Sequence, residues 1–147
     1  KTSDLDNVYC GYGPGSYTGV RISVTIAKML ASFGNVNLYC ISSLYLAGSG
    51  YDNLNVAVMF DARRGNSFCG CYGENYIEDK LRGNEEFLNL VNSYDDLIVV
   101  NESNFKVNPL KVIENATKVG DVEAFVPSYL RITEAEYNLR HQNDQKS

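Results

Sequence analysis

A chain of 147 residues has room for one domain with a real core or for two small lobes. Hydrophobic residues make up 44% and charged residues 21%, an ordinary soluble balance, and no run of about 18 apolar residues is present to form a transmembrane helix. The net charge of −5 argues against a dedicated nucleic-acid binder, and the polar stretch 1–7 lacks the apolar core of a secretory signal, which places the chain in the cytoplasm.

In chain order, Val8-Tyr9-Cys10 reads as a short strand that meets a glycine-rich turn, residues 11–19. Ser16 or Thr18 can cap the helix that follows over about 19–33, and Gly34 suits its end. A second strand is expected over 38–41, with Ser42 or Ser43 capping a short helix through Ala47. Gly48-Ser49-Gly50 marks a loop and a candidate boundary between a first lobe, 1–50, and a second, 51–133. The second opens on a hairpin: strand 55–60, the turn Asp61-Ala62-Arg63-Arg64-Gly65-Asn66, and strand 67–72. A helix over 85–91 and a buried strand over 97–100 follow, so the alternation indicates an α/β fold. Residues 134–147 form a polar tail, expected as a frayed helix or disordered segment.

The helix after the glycine turn is the most informative element. At about 100° per residue, Val20, Val24, Ala27 and Ala31 share one stripe, while Ile22, Ile26, Met29 and Phe33 share the opposite one. Arg21, Thr25, Lys28 and Ser32 form a polar edge between them. A surface helix needs only one apolar stripe. The small stripe suits close approach to a sheet; the bulky one calls for a second cover, either from this chain or from a partner.

The candidates for chemistry are few. A glycine turn at a helix N-terminus can cradle phosphate, but no Gly-Lys-Ser/Thr follows and Pro14 removes an amide donor. Gly11-x-Gly13-x-x-Ser16 only approaches the dinucleotide fingerprint, so a tight strand-to-helix turn is the simpler reading. Asp61 with Arg63 and Arg64 suggests an acid beside an anion site, or merely a solvated hairpin turn. Cys10, Cys40, Cys69 and Cys71 fit neither a zinc nor a redox spacing and read as small core residues. His141, the single histidine, lies in the tail, so no catalytic triad or histidine-based metal site can be assembled.

Gly13-Pro14-Gly15-Ser16-Tyr17-Thr18-Gly19-Val20-Arg21-Ile22 resembles the GPGSFTGLRI signature of the TsaB (YeaZ) family. The likeness continues through Ala27-Lys28, Leu30-Ala31 and Ile41-Ser42-Ser43-Leu44. Asp61-Ala62-Arg63-Arg64-Gly65 is similar to the family's DARRGE, with Asn66 in place of its acid, and Pro127-x-Tyr129-Leu130-Arg131 to its PxYLR. The resemblance implies an actin-like, sugar-kinase-like (ASKHA) fold with two lobes, the first incomplete here and the second degenerate. Family members carry an early strand with an IDTS-like turn and a helix before the point where Lys1 stands.

The function implied is that of a non-catalytic subunit in tRNA threonylcarbamoylation, without a cofactor of its own. It would pair with a TsaD-like subunit that holds metal, ATP and catalysis, recruit a TsaE-like ATPase, meet tRNA only indirectly, and homodimerise when alone. Arg21, Ile22, Ile26, Met29 and Phe33 are then the interface candidates. An ATP-using phosphotransferase acting alone is the alternative suggested by the fold class, and a peptidase the third reading.

Overall fold

The structure is a computed structural model that describes residues 5–127. The tail, Tyr129, Leu130, Arg131 and His141 lie outside the described residues.

Two sheets organise these residues. The first begins with β1 (Asn7–Gly11), crosses over through α1 (Tyr17–Gly34) and returns in β2 (Asn37–Ile41), parallel to β1 with Cys10 opposite Cys40. A strand, helix and parallel strand in succession is the connection that long crossovers require. Ser16 stands in extended conformation and its hydroxyl accepts from the Gly19 amide, capping α1. At the other end the expected stop at Gly34 is displaced by one residue. Gly34 stays helical, and Asn35 takes the left-handed position at φ 52°. Asparagine tolerates that region better than other residues with a β-carbon, so it supplies the cap.

The short helix α2 (Ser43–Gly48) leads into the second sheet. Its N-cap is Ser42, whose hydroxyl accepts from the Tyr45 amide; Ser43 is used elsewhere, and Gly48 closes the helix rather than opening the loop. β3 (Asn55–Asp61) and β4 (Asn66–Gly73) form the expected hairpin, with Asp61 and Asn66 absorbed into the strands. β5 (Ile77–Gly83) then extends β4, α3 (Asn84–Val91) crosses over, and β6 (Leu97–Val100) pairs parallel to β3. The order is β5-β4-β3-β6.

Three elements were not apparent in the sequence: β5, α4 (Pro109–Asn115) and β7 (Thr117–Lys118). β5 is charge-rich, which disguises it but suits a sheet edge, where charge discourages pairing with other chains. β7 returns to the first sheet and pairs antiparallel to β2, giving the order β1-β2-β7.

Packing follows the pleat. One face of the second sheet meets α2 through Leu44, Ala47, Val56, Val58, Phe68 and Val100. The other meets α3 through Ala57, Cys69, Cys71, Phe87 and Val91. In the first sheet, Cys10 and Leu38 pack under Val24, Ala27 and Ala31 of α1, joined by Val119, Val122 and Phe125 from the segment after β7. No helix among the described residues is long and apolar enough to cross a membrane.

Candidate functional site: the glycine turn and the open face of α1

The two stripes of α1 have opposite fates. Val24, Ala27 and Ala31 are buried and Val20 half-buried against the first sheet. Ile22, Ile26 and Met29 keep just over half of their surface, and Phe33 keeps 87%. The exposed side chains are larger than the buried ones, the reverse of what an isolated domain gains by folding. Arg21, also exposed, adjoins this stripe at its N-terminal end. Along the polar edge, Lys28 donates to the Glu123 carbonyl at 2.9 Å, tying α1 to the returning segment. Ile26 also lines an open groove of about 410 Å³ between α1, Leu46 of α2 and the outer edge of β1. Among the described residues β1 is the end strand of its sheet, and the groove runs beside it.

The glycine turn is pinned from within. Ser43 donates its amide to the Gly13 carbonyl at 3.0 Å, and its hydroxyl accepts from the Gly13 amide at 2.9 Å. The Tyr12 amide goes to the Ile41 carbonyl. Gly13 sits at φ 111°, where a β-carbon is strained, and a β-carbon at Gly19 would stand 2.7 Å from the Ser16 hydroxyl that caps the helix. Pro14 is buried and Gly15 half-buried; for Thr18 only the backbone is described. The amides of Tyr12, Gly13 and Gly19 are therefore committed to the protein itself, which leaves few for a phosphate. These bonds favour the strand-to-helix turn over the cradle.

The hairpin turn is a second, separate feature. Asp61 is exposed, its amide donates to Glu102 Oε1 at 2.5 Å, and its carboxylate accepts from the Arg63 amide at 3.1 Å. Arg63 and Arg64 are exposed and left-handed, at φ 69° and 55°, followed by Gly65 at 75°. For each arginine that conformation costs about 1 kcal/mol or more. Neither arginine lies on α1, so the sequence motifs resolve into two places rather than one.

One cluster escaped the sequence reading. Ser42 and Tyr72 both hydrogen-bond the Asp79 carboxylate, joining the end of the first sheet to β4 and β5. Burial, and then the Asp79 carboxylate beside it, push the Tyr72 phenol well above its ordinary value, so it acts as a donor at neutral pH. The signal lay in the start of β5, where half-buried Ile77, Asp79 and Leu81 alternate with exposed Glu78 and Lys80. Burial likewise pushes the Cys10 thiol up to about 11, which makes it a core residue rather than a nucleophile. Cys69 and Cys71 are buried and Cys40 is half-buried. Among the described residues, no three His, Cys, Asp or Glu side chains gather as a metal site.

Comparison with known proteins agrees with this architecture. The family model described as TsaD, tRNA N6-adenosine threonylcarbamoyltransferase, matches residues 1–89. The chain is 30% identical to the tRNA threonylcarbamoyladenosine biosynthesis protein TsaB of Bacillus subtilis, over 90% of this chain and 72% of that protein. It is 25% identical to an uncharacterised protein of Mycoplasma genitalium, MG208, over 89% of this chain and 68% of the relative. Among solved structures, an uncharacterised protein from Pseudomonas aeruginosa with similarity to peptidase YeaZ shares the fold. Its TM-score is 0.63 at 20% identity, over 89% of this chain and 76% of that one. With an actin-like α/β fold and these relatives, the chain belongs to the TsaB (YeaZ) family.

Proposed function

We propose that this protein takes part in tRNA N6-threonylcarbamoyladenosine biosynthesis as a non-catalytic supporting subunit. The role is to bind a TsaD-like catalytic subunit, which supplies ATP and metal chemistry and holds the tRNA. The observation that carries the reading is the bulky stripe of α1: Ile22, Ile26, Met29 and Phe33 stand exposed while smaller residues fill the core. Large exposed apolar side chains in a row, rimmed by a cation such as Arg21, have the composition of an interface core. In the isolated protein the same stripe would serve a homodimer, and in the complex a TsaE-like ATPase joins at a further surface. The lobes 1–50 and 51–133 correspond, in this proposal, to the two sheets, with Thr117–Lys118 reaching back to the first.

The test is co-purification with the TsaD-like protein of the same organism, followed by a tRNA modification assay with and without this chain. A stable complex whose modification activity depends on the chain supports the proposal. Absence of a complex with the complete protein refutes it. Micromolar ATP binding by the isolated chain would point instead to a phosphotransferase.

A further inference from the structure

We propose that the first sheet is hinged on the start of α2, and that Asp79 of the second sheet locks this hinge by holding Ser42. The described residues form separate cores. Ala27 and Leu38 lie in the core of the first sheet, whereas Leu44 and Ala47 of α2 pack with Val58 and Phe68 of the second. Among the described residues the two clusters share no buried side chain. Both crossings of the chain between the sheets run along α2. The first is Ser42 and Ser43. The second follows β6 and is tied to α2: the Lys106 amide donates to the Ala47 carbonyl at 2.8 Å, and the Asn108 amide to Ser49 Oγ at 2.9 Å. Two neighbouring crossings between separate cores define an axis about which one core can turn.

Adjacent serines face opposite ways across that axis. Ser43 holds the glycine turn through its amide and its hydroxyl. Ser42 donates to Asp79 Oδ2, while the Tyr72 hydroxyl donates to Asp79 Oδ1. Each carboxylate oxygen therefore has its own donor: Tyr72 orients the group from within the second sheet, and Ser42 joins it to the first. The second bond spans 37 positions of sequence. A brace between β4 and β5 would need Tyr72 alone. Because the link is polar, water can replace either partner when it opens, which packed apolar contacts do not allow.

The second sheet makes room for this carboxylate. Gly70 lies in the middle of β4 without a left-handed backbone, so its conformation does not call for glycine. A β-carbon there would stand 2.5 Å from Asp79 Oδ1 and 3.1 Å from the Tyr72 hydroxyl. Beside it, between Cys69 and Cys71, the register of β4 against β5 shifts. Glycine and an irregular register inside a strand weaken it, and they mark places where another group approaches closely. Here that group is Asp79.

Two variants of the complete protein remove the bond from opposite sides of the axis. S42G deletes the hydroxyl while leaving an acceptable N-cap on α2, and D79A deletes the carboxylate. Residual dipolar couplings report the relative orientation of the two sheets, and hydrogen exchange reports the protection of the Gly13 and Ser43 amides, with β3 amides as the internal reference. In the wild type one alignment should fit both sheets. In S42G the couplings of the first sheet should shrink relative to the second, and Gly13 and Ser43 should lose about tenfold in protection while β3 stays within about twofold. S42G/D79A should lose no more protection at Gly13 and Ser43 than D79A alone, because the bond is already absent. Unchanged protection and a common alignment in S42G overturn the proposal. An equal loss in β3 of S42G overturns it too, since the bond would then serve general stability. So does a double variant in which the two losses add.

Discussion

The two faces of α1 share one backbone, one cap and nearly the same apolar content, yet among the described residues only one of them is buried. Val24 is 3% exposed, whereas Ile26, two residues on, is 53% exposed. The buried face is built from valine and alanine because α1 lies directly on β1 and β2, and small side chains let helix and sheet approach. The outward face carries isoleucine, methionine and phenylalanine, whose burial would contribute more per residue. In the proposed complex, this outer face is the one that meets the second body. The difference teaches that amphipathicity gives the direction of the core only when the other face is polar.

Breaking this comparison from the inside has the largest expected effect. Val24→Asp places an unpaired carboxylate against Cys10 and Leu38, and should cost about 3 kcal/mol or more of stability in urea unfolding. From the outside, Ile26→Asp or Met29→Asp should leave a folded monomer and weaken association at least about tenfold, read by light scattering alone and by calorimetry with the TsaD-like protein. Equal loss of stability at positions 24 and 26 would show that the two faces are equivalent. Ser16→Ala removes the α1 cap common to both faces and should lower stability by about 1 kcal/mol. Phe33→Ser, at the most exposed position, should change stability by less than about 0.5 kcal/mol while reducing self-association at high concentration.

Much of the fold was legible because local chemistry agreed with the tertiary outcome. The 18 residues of α1, the strand that precedes it and the β3–β4 hairpin each carried the period and boundary residues of their type. Where the reading failed, a local signal was outweighed. Gly34 looked like the stop, but Asn35 could adopt the same backbone one residue later. β5 carries four charged residues among seven, and only its pairing with β4 makes it a strand. β7 spans two residues, too short for any period, and exists because the edge of β2 offers partners.

The sequence by itself determined the element types, the two apolar stripes and the motifs of the glycine and arginine turns, since these depend on neighbours within a few residues. It also directed the small stripe of α1 toward the sheet, where Val24, Ala27 and Ala31 pack, but it could not fix how far each bulky side chain stands exposed. Nor could it place Ser42, Tyr72 and Asp79 together, or return residues 117–125 to the first sheet. Those outcomes join residues tens of positions apart, and only long-range packing, with the chain entropy it must overcome, selects them.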